Sequence, residues 1–355
     1  MSESLPTGAK PFEFKGNAKE WFGIWIVNLL LSIVTIGIYS AWAKVRTKKY
    51  FYNNTYVEGR NFDYHATGKQ ILIGRLIIIA AVIVFQIITA ILPVVGLLLL
   101  VGLLFAYPWL IVRSMEFNAR MSSFSNVRFG FVGSVGQAFL TFLVYPLLMA
   151  LTLYTTFPIW DRAMKRFSIN NHKLGTAGFK MEVGLGPFYK AFLVAIAWII
   201  VVGILGVVLT GFNFAEFAYA MDNADRDPGG AVGIIALFYI LFFAAFLPAA
   251  FIYQALTRNE VYNNTTLDGG HRFASNVTAP ALLWIAVSNM VVVICTLFLM
   301  LPWAQVRMAK YLADHTGFIP GEASLDDFVG QQQAQGSAMG DAYTDLEGID
   351  VGLPI

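Results

Sequence analysis

The chain is poor in cysteine, histidine and charge. Its 355 residues include one cysteine, Cys295, and four histidines. A single cysteine excludes a disulfide framework and a Cys-x-x-Cys metal site, and so few histidines leave little for a zinc centre. Charged residues make up 13% of the chain and apolar residues 57%, whereas soluble domains average about 25% and about 45–50%. This balance indicates a protein that keeps its apolar surface in a bilayer.

Motifs of catalysis and ion coupling are missing as well. The sequence has no GxSxG nucleophile elbow, no GxxxxGK[ST] phosphate loop and no HExxH or HxxxH pair. No carboxylate lies inside the long apolar segments, although proton- and sodium-coupled carriers usually need one there. We therefore expect neither an enzyme nor a classical ion-coupled transporter, and no metal, cofactor or nucleic-acid partner. The histidines are expected to be polar loop residues: His65, His172, His271 and His315.

What the chain does have is long uncharged apolar segments. Seven of them follow a polar N-terminal stretch, residues 1–20, that lacks the features of a removable signal peptide. Six segments have the roughly 20 residues that a helix needs to cross about 30 Å of hydrocarbon, and the second needs Arg75 to reach that length. The segments are residues 21–43, 76–91, 94–112, 135–160, 191–211, 231–256 and 280–303.

A repeated polar module lies between the segments. Residues 47–62 read TKKYFYNNTYVEGRNF and residues 164–179 read MKRFSINNHKLGTAGF, with a shared Asn-Asn and a shared closing Phe. A third copy covers residues 257–273, and a fainter one ends in SSFSNVRF. Each copy has a basic helix end, then an Asn-rich stretch, then short segments of alternating polarity around Gly. This pattern predicts a small β-hairpin at the membrane surface. The basic pairs of the first two copies are Lys48 with Lys49 and Lys165 with Arg166.

A second repeated element is Trp-x-x-x-Arg. Trp and Arg four residues apart share one helix face, which places the indole at the headgroup level beside a cation. Such a motif either orients a helix end at the bilayer surface or binds anionic phospholipid headgroups, where each cation gains about 1 kcal/mol. Together with the basic pairs, these residues are the candidate lipid contacts. The motif residues are Trp42 and Arg46, Trp109 and Arg113, and Trp303 and Arg307.

The first and last apolar segments are copies of each other. Asn28 and Asn289 each stand fourteen residues before a motif Trp, and Thr35 and Thr296 each follow those asparagines by seven residues. The fourth segment aligns with them more loosely. These four polar side chains either line a polar path through the membrane or make helix–helix hydrogen bonds worth about 0.6–2 kcal/mol.

The copies divide the chain into repeat units and a tail. The tail carries seven acidic residues and no Lys or Arg, so the rest of the chain, whose net charge as a whole is +2, carries +9. The apolar residues of the tail have no periodic spacing, so the tail is expected to be disordered. It either docks a protein partner or folds back on the basic surface and competes with lipid. The predicted divisions are residues 1–20, 21–133, 134–279, 280–318 and 319–355.

The distribution of Lys and Arg along the chain is compatible with two membrane topologies. If all seven segments cross in turn, Lys and Arg, apart from Arg75 in the second segment, divide 12 to 11 between the two sides, as two inverted three-helix units would produce. If residues 21–43, 135–160 and 280–303 instead dip in and return, 22 basic residues lie on one side and only Arg226 on the other. We favour the one-sided arrangement because membrane proteins concentrate Lys and Arg on the cytoplasmic side.

These motifs resemble those of the YjgN-like family of bacterial inner-membrane proteins. The resemblance rests on NLLLSIVTIGIYSAWAKVRTKKYFYNNTYVEGRNFDYHATG, LPWAQVRMAKYLADHT and GEASLDDF, in that order, and extends from about Phe12 to the end. It implies a multi-pass protein of the bacterial inner membrane. The family has no known function, so it supplies no catalytic residues. The fourth segment departs from the family pattern, since Trp160 is followed by Arg162 and lacks a cation four residues later.

The predicted fold class is an all-α polytopic membrane protein. It has about seven hydrophobic helical segments, four to seven of them true spans, with small repeated β-hairpins at the membrane surface and an internal duplication. The predicted function is non-enzymatic: interaction with anionic lipid headgroups, or scaffolding of a partner, through the basic modules. The alternative is a channel or uncoupled transporter built from the duplicated units. No oligomeric state is predicted.

Overall fold

A unit of strand, helical hairpin and strand occurs five times in the chain. The structure, a computed structural model, describes residues 5–346. The strands are β1 (Lys10–Phe14), β2 (Thr55–Val57), β3 (Arg60–Tyr64), β4 (Ser122–Phe124), β5 (Val127–Phe131), β6 (His172–Leu174), β7 (Ala177–Met181), β8 (Thr265–Leu267), β9 (His271–Ser275) and β10 (Thr316–Ile319).

Thirteen helices connect or follow these strands in the described residues. They are α1 (Ala18–Val34), α2 (Ser40–Asn53), α3 (Gly68–Ile91), α4 (Pro93–Arg120), α5 (Val135–Phe139), α6 (Tyr145–Leu151), α7 (Phe157–Asn170), α8 (Gly186–Thr210), α9 (Phe214–Asp222), α10 (Pro228–Asn263), α11 (Ala279–Cys295), α12 (Leu301–Asp314) and α13 (Leu325–Leu346), with a π-helical stretch, Leu140–Val144, between α5 and α6.

The ten strands form one closed antiparallel barrel, so the predicted all-α class is wrong. The hairpins were expected as separate surface elements, but each pairs with the next, and β1 closes the circle between β2 and β10. A lone two-stranded hairpin is marginally stable and exposes both edges, whereas closure pairs every edge. The pairings join distant residues, such as Lys10 with Phe318, so a local sequence pattern could not reveal them.

Two of the five units carry long helical hairpins, α3–α4 and α8–α10. These four helices are long and apolar enough to cross a membrane. Most of their large apolar side chains are exposed, as on Ile77, Leu98, Ile204 and Phe243. Exposed apolar surface on this scale is what a lipid-facing helix presents. The described residues therefore contain four candidate spans, the lowest number within the predicted range.

The other three units carry short helical hairpins that turn back. Five-residue turns at 35–39, 152–156 and 296–300 interrupt the apolar segments that were expected to be copies of one another. The 17 residues of α1 extend for about 25 Å, which is less than the roughly 30 Å of a bilayer core. The copied segments thus form short hairpins that return to the barrel, which is the shape that the second of the two predicted topologies requires.

A threonine builds the turn of the first and last short hairpins in the same way. The Thr35 hydroxyl donates to the carbonyl four residues earlier at 2.7 Å and accepts from the amide four residues later at 2.9 Å. Thr296 makes the equivalent bonds at 2.7 and 3.2 Å. These bonds hold the next residue, Ile36 or Leu297, at a φ of +49° or +48°, which L-residues rarely adopt. The two threonines are therefore turn residues.

All five helical hairpins leave the barrel at the same end. Every odd-numbered strand is followed by helices, and every even-numbered strand except β10 by a tight turn. In an antiparallel barrel these two kinds of connection lie at opposite ends, which we call the helix end and the turn end. The basic modules thus all lie on one side, in agreement with the favoured topology. The predicted units 21–133 and 134–279 each contain one short and one long helical hairpin, and their boundaries stay a prediction.

The C-terminal tail is not disordered over the part that the structure describes. It forms α13, and Ser324 caps this helix by accepting a 3.1 Å hydrogen bond from the amide of Asp327. Leu325, Phe328 and Val329 lie on one face at the helical spacing and are buried in the barrel core. Packing of this short apolar face against the barrel stabilises the helix, although few of its residues are apolar. Residues 347–355 of the predicted tail lie outside the described residues.

Candidate functional site: the cavity inside the barrel

Five phenylalanines form a collar inside the barrel. The third residue of every odd-numbered strand is Phe: Phe12, Phe62, Phe129, Phe179 and Phe273. Consecutive ring centroids are 6.3, 6.4, 6.4 and 6.0 Å apart. Because side chains alternate along a strand, one register places all five on the interior face. The repeated closing Phe of the polar modules was the sequence signal for four of them, but no module precedes Phe12.

The phenylalanine collar lines a cavity of about 770 Å³. This volume lies within the range of about 300–1,000 Å³ that small-molecule sites have. Leu325 and Phe328 of α13 line it at the turn end. Opposite each collar residue, the neighbouring even-numbered strand adds an apolar side chain: Val57, Phe124, Leu174, Leu267 and Phe318.

The cavity becomes polar toward the helix end. There it is lined by the first residues of four even-numbered strands, Thr55, His172, Thr265 and Thr316. Each of the three threonine hydroxyls donates to a carbonyl of the preceding helix, at 2.8, 2.6 and 2.6 Å. Their oxygen lone pairs stay able to accept from another donor. The cavity is therefore amphipathic along its length, apolar at the collar and hydroxylated at the helix end.

Arg258 is a cationic side chain in the wall of this cavity. It comes from the last turns of α10 and lines the polar end. Its Nη2 donates to Thr316 Oγ1 at 2.7 Å and its Nη1 to Ser275 Oγ at 3.3 Å. The guanidinium carbon lies 4.1 Å from the ring centroid of Tyr262. Arg258 therefore presents a half-buried guanidinium, a group able to bind anions, at the polar end of the cavity.

The α13 helix closes the turn end of the barrel through polar contacts with the β-turns. Arg60 pairs with Asp326 at 2.7 Å. The Thr176 amide and hydroxyl both donate to Gln332 Oε1, at 2.8 and 2.9 Å. Gln333 lies beside it on the same helix, and its Nε2 donates to a turn carbonyl at 2.7 Å. These bonds, with the buried face of α13, hold the helix across the opening.

His271 is buried beneath α13 and begins strand β9, so it is not the polar loop residue that the sequence suggested. Its side chain is fully buried and stacks on Phe318 and against the edge of Phe328, with ring centroids 5.3 and 4.5 Å away. Nδ1 accepts from the Gly321 amide at 2.9 Å, while Nε2 is buried without a hydrogen-bond partner. Burial lowers the pKa of His271 below its usual value, because desolvation disfavours the charged imidazolium.

In two Trp-x-x-x-Arg motifs the cation lies over its own indole. The distance from guanidinium carbon to ring centroid is 5.7 Å in the pair of Trp109 with Arg113 and 5.2 Å in the pair of Trp303 with Arg307. This agrees with the shared helix face that the spacing predicted. In the first copy Trp42 and Arg46 are both turned to Tyr39 instead. Their contact with lipid stays a prediction.

In each basic pair, one cation is bonded within the protein and the other is exposed. Lys48 donates to Asn118 Oδ1 at 2.6 Å, and burial, reinforced by the charge of Lys44, lowers its pKa. The ammonium of Lys165 pairs with Asp161 at 2.7 Å. Lys49 and Arg166, the second members of the two pairs, are exposed. These two side chains keep the geometry expected of headgroup contacts.

The pair of Lys165 and Asp161 belongs to a buried polar cluster that sequence reasoning missed. Asp161 Oδ2 also accepts from the Tyr253 hydroxyl at 2.8 Å, and Lys165 donates to Thr257 at 3.1 Å. The cluster joins α7 to α10. Asp and Lys at positions i and i+4 were a visible local signal, but the α10 partners lie 92 residues away. The cluster is fully paired and fixes the packing of these two helices.

The four residues of the predicted polar path do not line the barrel cavity. Asn289 is buried, donates to the Ala304 carbonyl at 3.1 Å and accepts from Arg307 at 3.0 Å. Asn28 is also buried, and neither of its amide atoms has a hydrogen-bond partner. Thr35 and Thr296 close turns, as described above. Of these four residues in the described part of the chain, Asn289 makes hydrogen bonds to another helix, which is the second of the two interpretations.

Comparison with known proteins identifies the family. A family described as bacterial protein of unknown function, DUF898, matches residues 9–346. The inner membrane protein YjgN of Salmonella typhimurium is 26% identical over 344 residues, which cover 85% of this chain and 87% of that protein.

A second YjgN supports this family assignment. No solved structure matches the chain significantly. The inner membrane protein YjgN of Escherichia coli O157:H7 is also 26% identical, over 360 residues and 89% of each chain. These relatives and the four apolar helices confirm the predicted resemblance and the predicted location in the inner membrane. The chain is a multi-pass inner-membrane protein and belongs to the DUF898 family of bacterial proteins of unknown function.

Proposed function

We propose that this protein is a lipid-interacting protein whose barrel takes up a single hydrocarbon chain from the membrane. The observation that carries the proposal is the cavity of about 770 Å³ enclosed by the phenylalanine collar. A cavity of this size lined mainly by aromatic and aliphatic side chains favours an apolar ligand. Each buried methylene group would gain about 0.8 kcal/mol relative to water. The absence of enzymatic activity stays a prediction.

A cleft between α2 and α12 supports entry from the side of the bilayer. It is lined by Phe51 of α2 and by Ala304, Gln305, Met308, Ala309 and Leu312 of α12. Phe51, Ala309 and Leu312 also line the barrel cavity, so the two spaces adjoin. A chain that leaves the bilayer would pass these three residues before it reaches the collar. The exposed cations of the helix ends would meanwhile remain beside the phospholipid headgroups.

No specific observation favours the channel alternative. Among the described residues, α13 lies across the turn end of the barrel, and the proposed polar-path residues lie outside the cavity. A protein partner for the acidic tail stays a prediction. Its residue Asp326 makes an ion pair with Arg60 within this chain.

Photolabelling tests the proposal. The protein in phosphatidylcholine nanodiscs is exposed to a diazirine analogue of hexadecanol, and the labelled peptides are identified by mass spectrometry. We expect labels on collar peptides that contain Phe129 and Phe179. The variant Ala309→Trp places an indole at the junction of cleft and cavity and should reduce collar labelling several-fold.

The matched control is Ala218→Trp, because Ala218 is exposed on α9 and far from the lining of the cavity. This variant should label like the unmodified protein. Labels confined to the lipid-facing sides of α3, α4, α8 and α10, with none at the collar, would rule out the proposed function.

A further inference from the structure

The cation in the cavity wall has no acidic partner. None of the ion pairs among the described residues includes Arg258. Its hydrogen-bond acceptors are the neutral hydroxyls of Ser275 and Thr316. Removing a guanidinium from bulk water is costly unless a charge or several hydrogen bonds compensate. The arrangement therefore leaves room for an anionic group that comes from a ligand.

The other repeat units show that this cation is specific to the cavity. Counted back from the first residue of the following strand, Lys48 and Lys165 occupy the position of Arg258. Neither of these two lysines lines the cavity. Lys165 is neutralised by Asp161, and Lys48 is bound to Asn118 and lies 4.5 Å from the ring centroid of Tyr64. Of the three equivalent cations in the described part of the chain, Arg258 alone lines the amphipathic cavity.

The collar limits how much hydrocarbon the ligand carries. Neighbouring centroids are 6.0–6.4 Å apart. Four of the five sides of the collar have this length; a regular pentagon with sides of this length has its corners about 5 Å from its axis, and carbon atoms need about 3.5–4.0 Å of separation. One chain therefore fits along the axis and two chains side by side do not.

From these observations we infer that the cavity binds a single-chain amphiphile with an anionic head, either a carboxylate or a phosphate. The chain lies in the phenylalanine collar and the head is held by Arg258 at the polar end of the cavity. Guanidinium suits both heads because its N–H groups bind two oxygens of one anion at once. This inference rests on the proposed function and adds the class of ligand.

The test compares three diazirine probes with the same chain and different heads: palmitate, hexadecyl phosphate and hexadecanol. Each is titrated against the full chain in phosphatidylcholine nanodiscs, and collar labelling is measured for every concentration. We expect Arg258→Gln to raise the half-saturating concentration of the anionic probes about ten- to hundredfold. Hexadecanol labelling should change less than about twofold, which also shows that the variant is folded.

Two further variants complete the design. Arg258→Lys keeps the charge and should retain part of the preference for the anionic probes, since an ammonium replaces the two-pronged guanidinium by a point charge. Lys48→Gln removes the equivalent cation outside the cavity and should behave like the unmodified chain. The tighter of the two anionic probes identifies the head as carboxylate or phosphate.

Failure of this inference can be distinguished from failure of the proposed function. If hexadecanol labels the collar and the anionic probes bind no better, or if Arg258→Gln leaves them unchanged, the anionic head is wrong and the hydrocarbon-binding function stands. If no probe labels the collar, the proposed function fails and the inference fails with it.

Discussion

At the scale of single residues, equivalent positions of the repeat have acquired different partners. Asn28 and Asn289 precede their motif Trp by the same distance in the sequence. Asn289 holds Arg307 and the Ala304 carbonyl, whereas Asn28 is buried and leaves both amide atoms unbonded. A buried polar group without partners costs about 1–3 kcal/mol. The two asparagines should therefore respond in opposite directions to the same substitution.

We predict that Asn28→Leu raises the midpoint of thermal unfolding in detergent and that Asn289→Leu lowers it. The first change removes an unbonded amide, and the second leaves the Arg307 guanidinium and the Ala304 carbonyl without this partner, at a cost of about 1–3 kcal/mol. Intrinsic tryptophan fluorescence during heating measures both variants. Equal losses in the two variants would show that Asn28 is hydrogen-bonded in the membrane-embedded protein.

At the scale of elements, α13 decides whether the turn end of the barrel is covered. Phe328 of α13 packs against His271 of the barrel, with ring centroids 4.5 Å apart, and Nδ1 of His271 accepts from the amide of Gly321, which precedes α13. Protonation of Nδ1 would turn this acceptor into a donor that faces another donor. The lowered pKa of His271 means that the docked state prefers the neutral ring. Docking of α13 should therefore depend on pH.

We predict that α13 loosens as the pH falls. With its pKa lowered in the docked state, His271 binds protons more readily when α13 is undocked, so docking is strongest above about pH 6.5 and weakens below it. Hydrogen exchange of residues 325–335 at pH 7.5 and pH 5.0, corrected for intrinsic rates, measures the change.

The control for this prediction is His271→Gln, which keeps a side-chain acceptor but does not titrate. Its α13 protection should change far less between the two pH values. If the unmodified chain protects residues 325–335 equally at both values, the coupling between His271 and α13 is disproved.

At the scale of the whole molecule, barrel closure determines the membrane topology. Because every helical hairpin begins and ends at the helix end of one barrel, the four tight turns lie together on one side of the membrane. The loop between α8 and α10, which contains Arg226, lies at the far end of the α8–α10 hairpin and is separated from the barrel by the length of that hairpin. From the positive-inside tendency we therefore expect the barrel on the cytoplasmic side.

We predict this topology for single cysteines introduced after the native Cys295 is changed to alanine. Glu58→Cys and Asn126→Cys lie in tight turns at the turn end and should react with a membrane-impermeant maleimide only after the cells are permeabilised. Asp225→Cys lies in the loop beyond α8 and should react in intact spheroplasts. Reaction of Glu58→Cys and Asn126→Cys from opposite sides would contradict a single barrel.

Part of the site could be predicted from the sequence, because it is written in local repeats. The modules around Asn53 and Asn170 predicted hairpins, and the recurring Phe62 and Phe179 were visible as the ends of those modules. The role of Arg258 could not be predicted, since it depends on Ser275 and Thr316, which reach it from neighbouring strands. The same holds for α13, whose sequence is polar and whose few apolar residues become a buried face only against the barrel.

The sequence by itself determined that this protein lives in a bilayer, that its polar modules repeat and that they form hairpins, because hydropathy and turn chemistry act over a few neighbouring residues. Only the tertiary structure decided that the hairpins close into one barrel around a phenylalanine collar, and that α13 covers one end. Strand pairing across large separations depends on the edge of every hairpin finding its partner. No short window of sequence contains both edges.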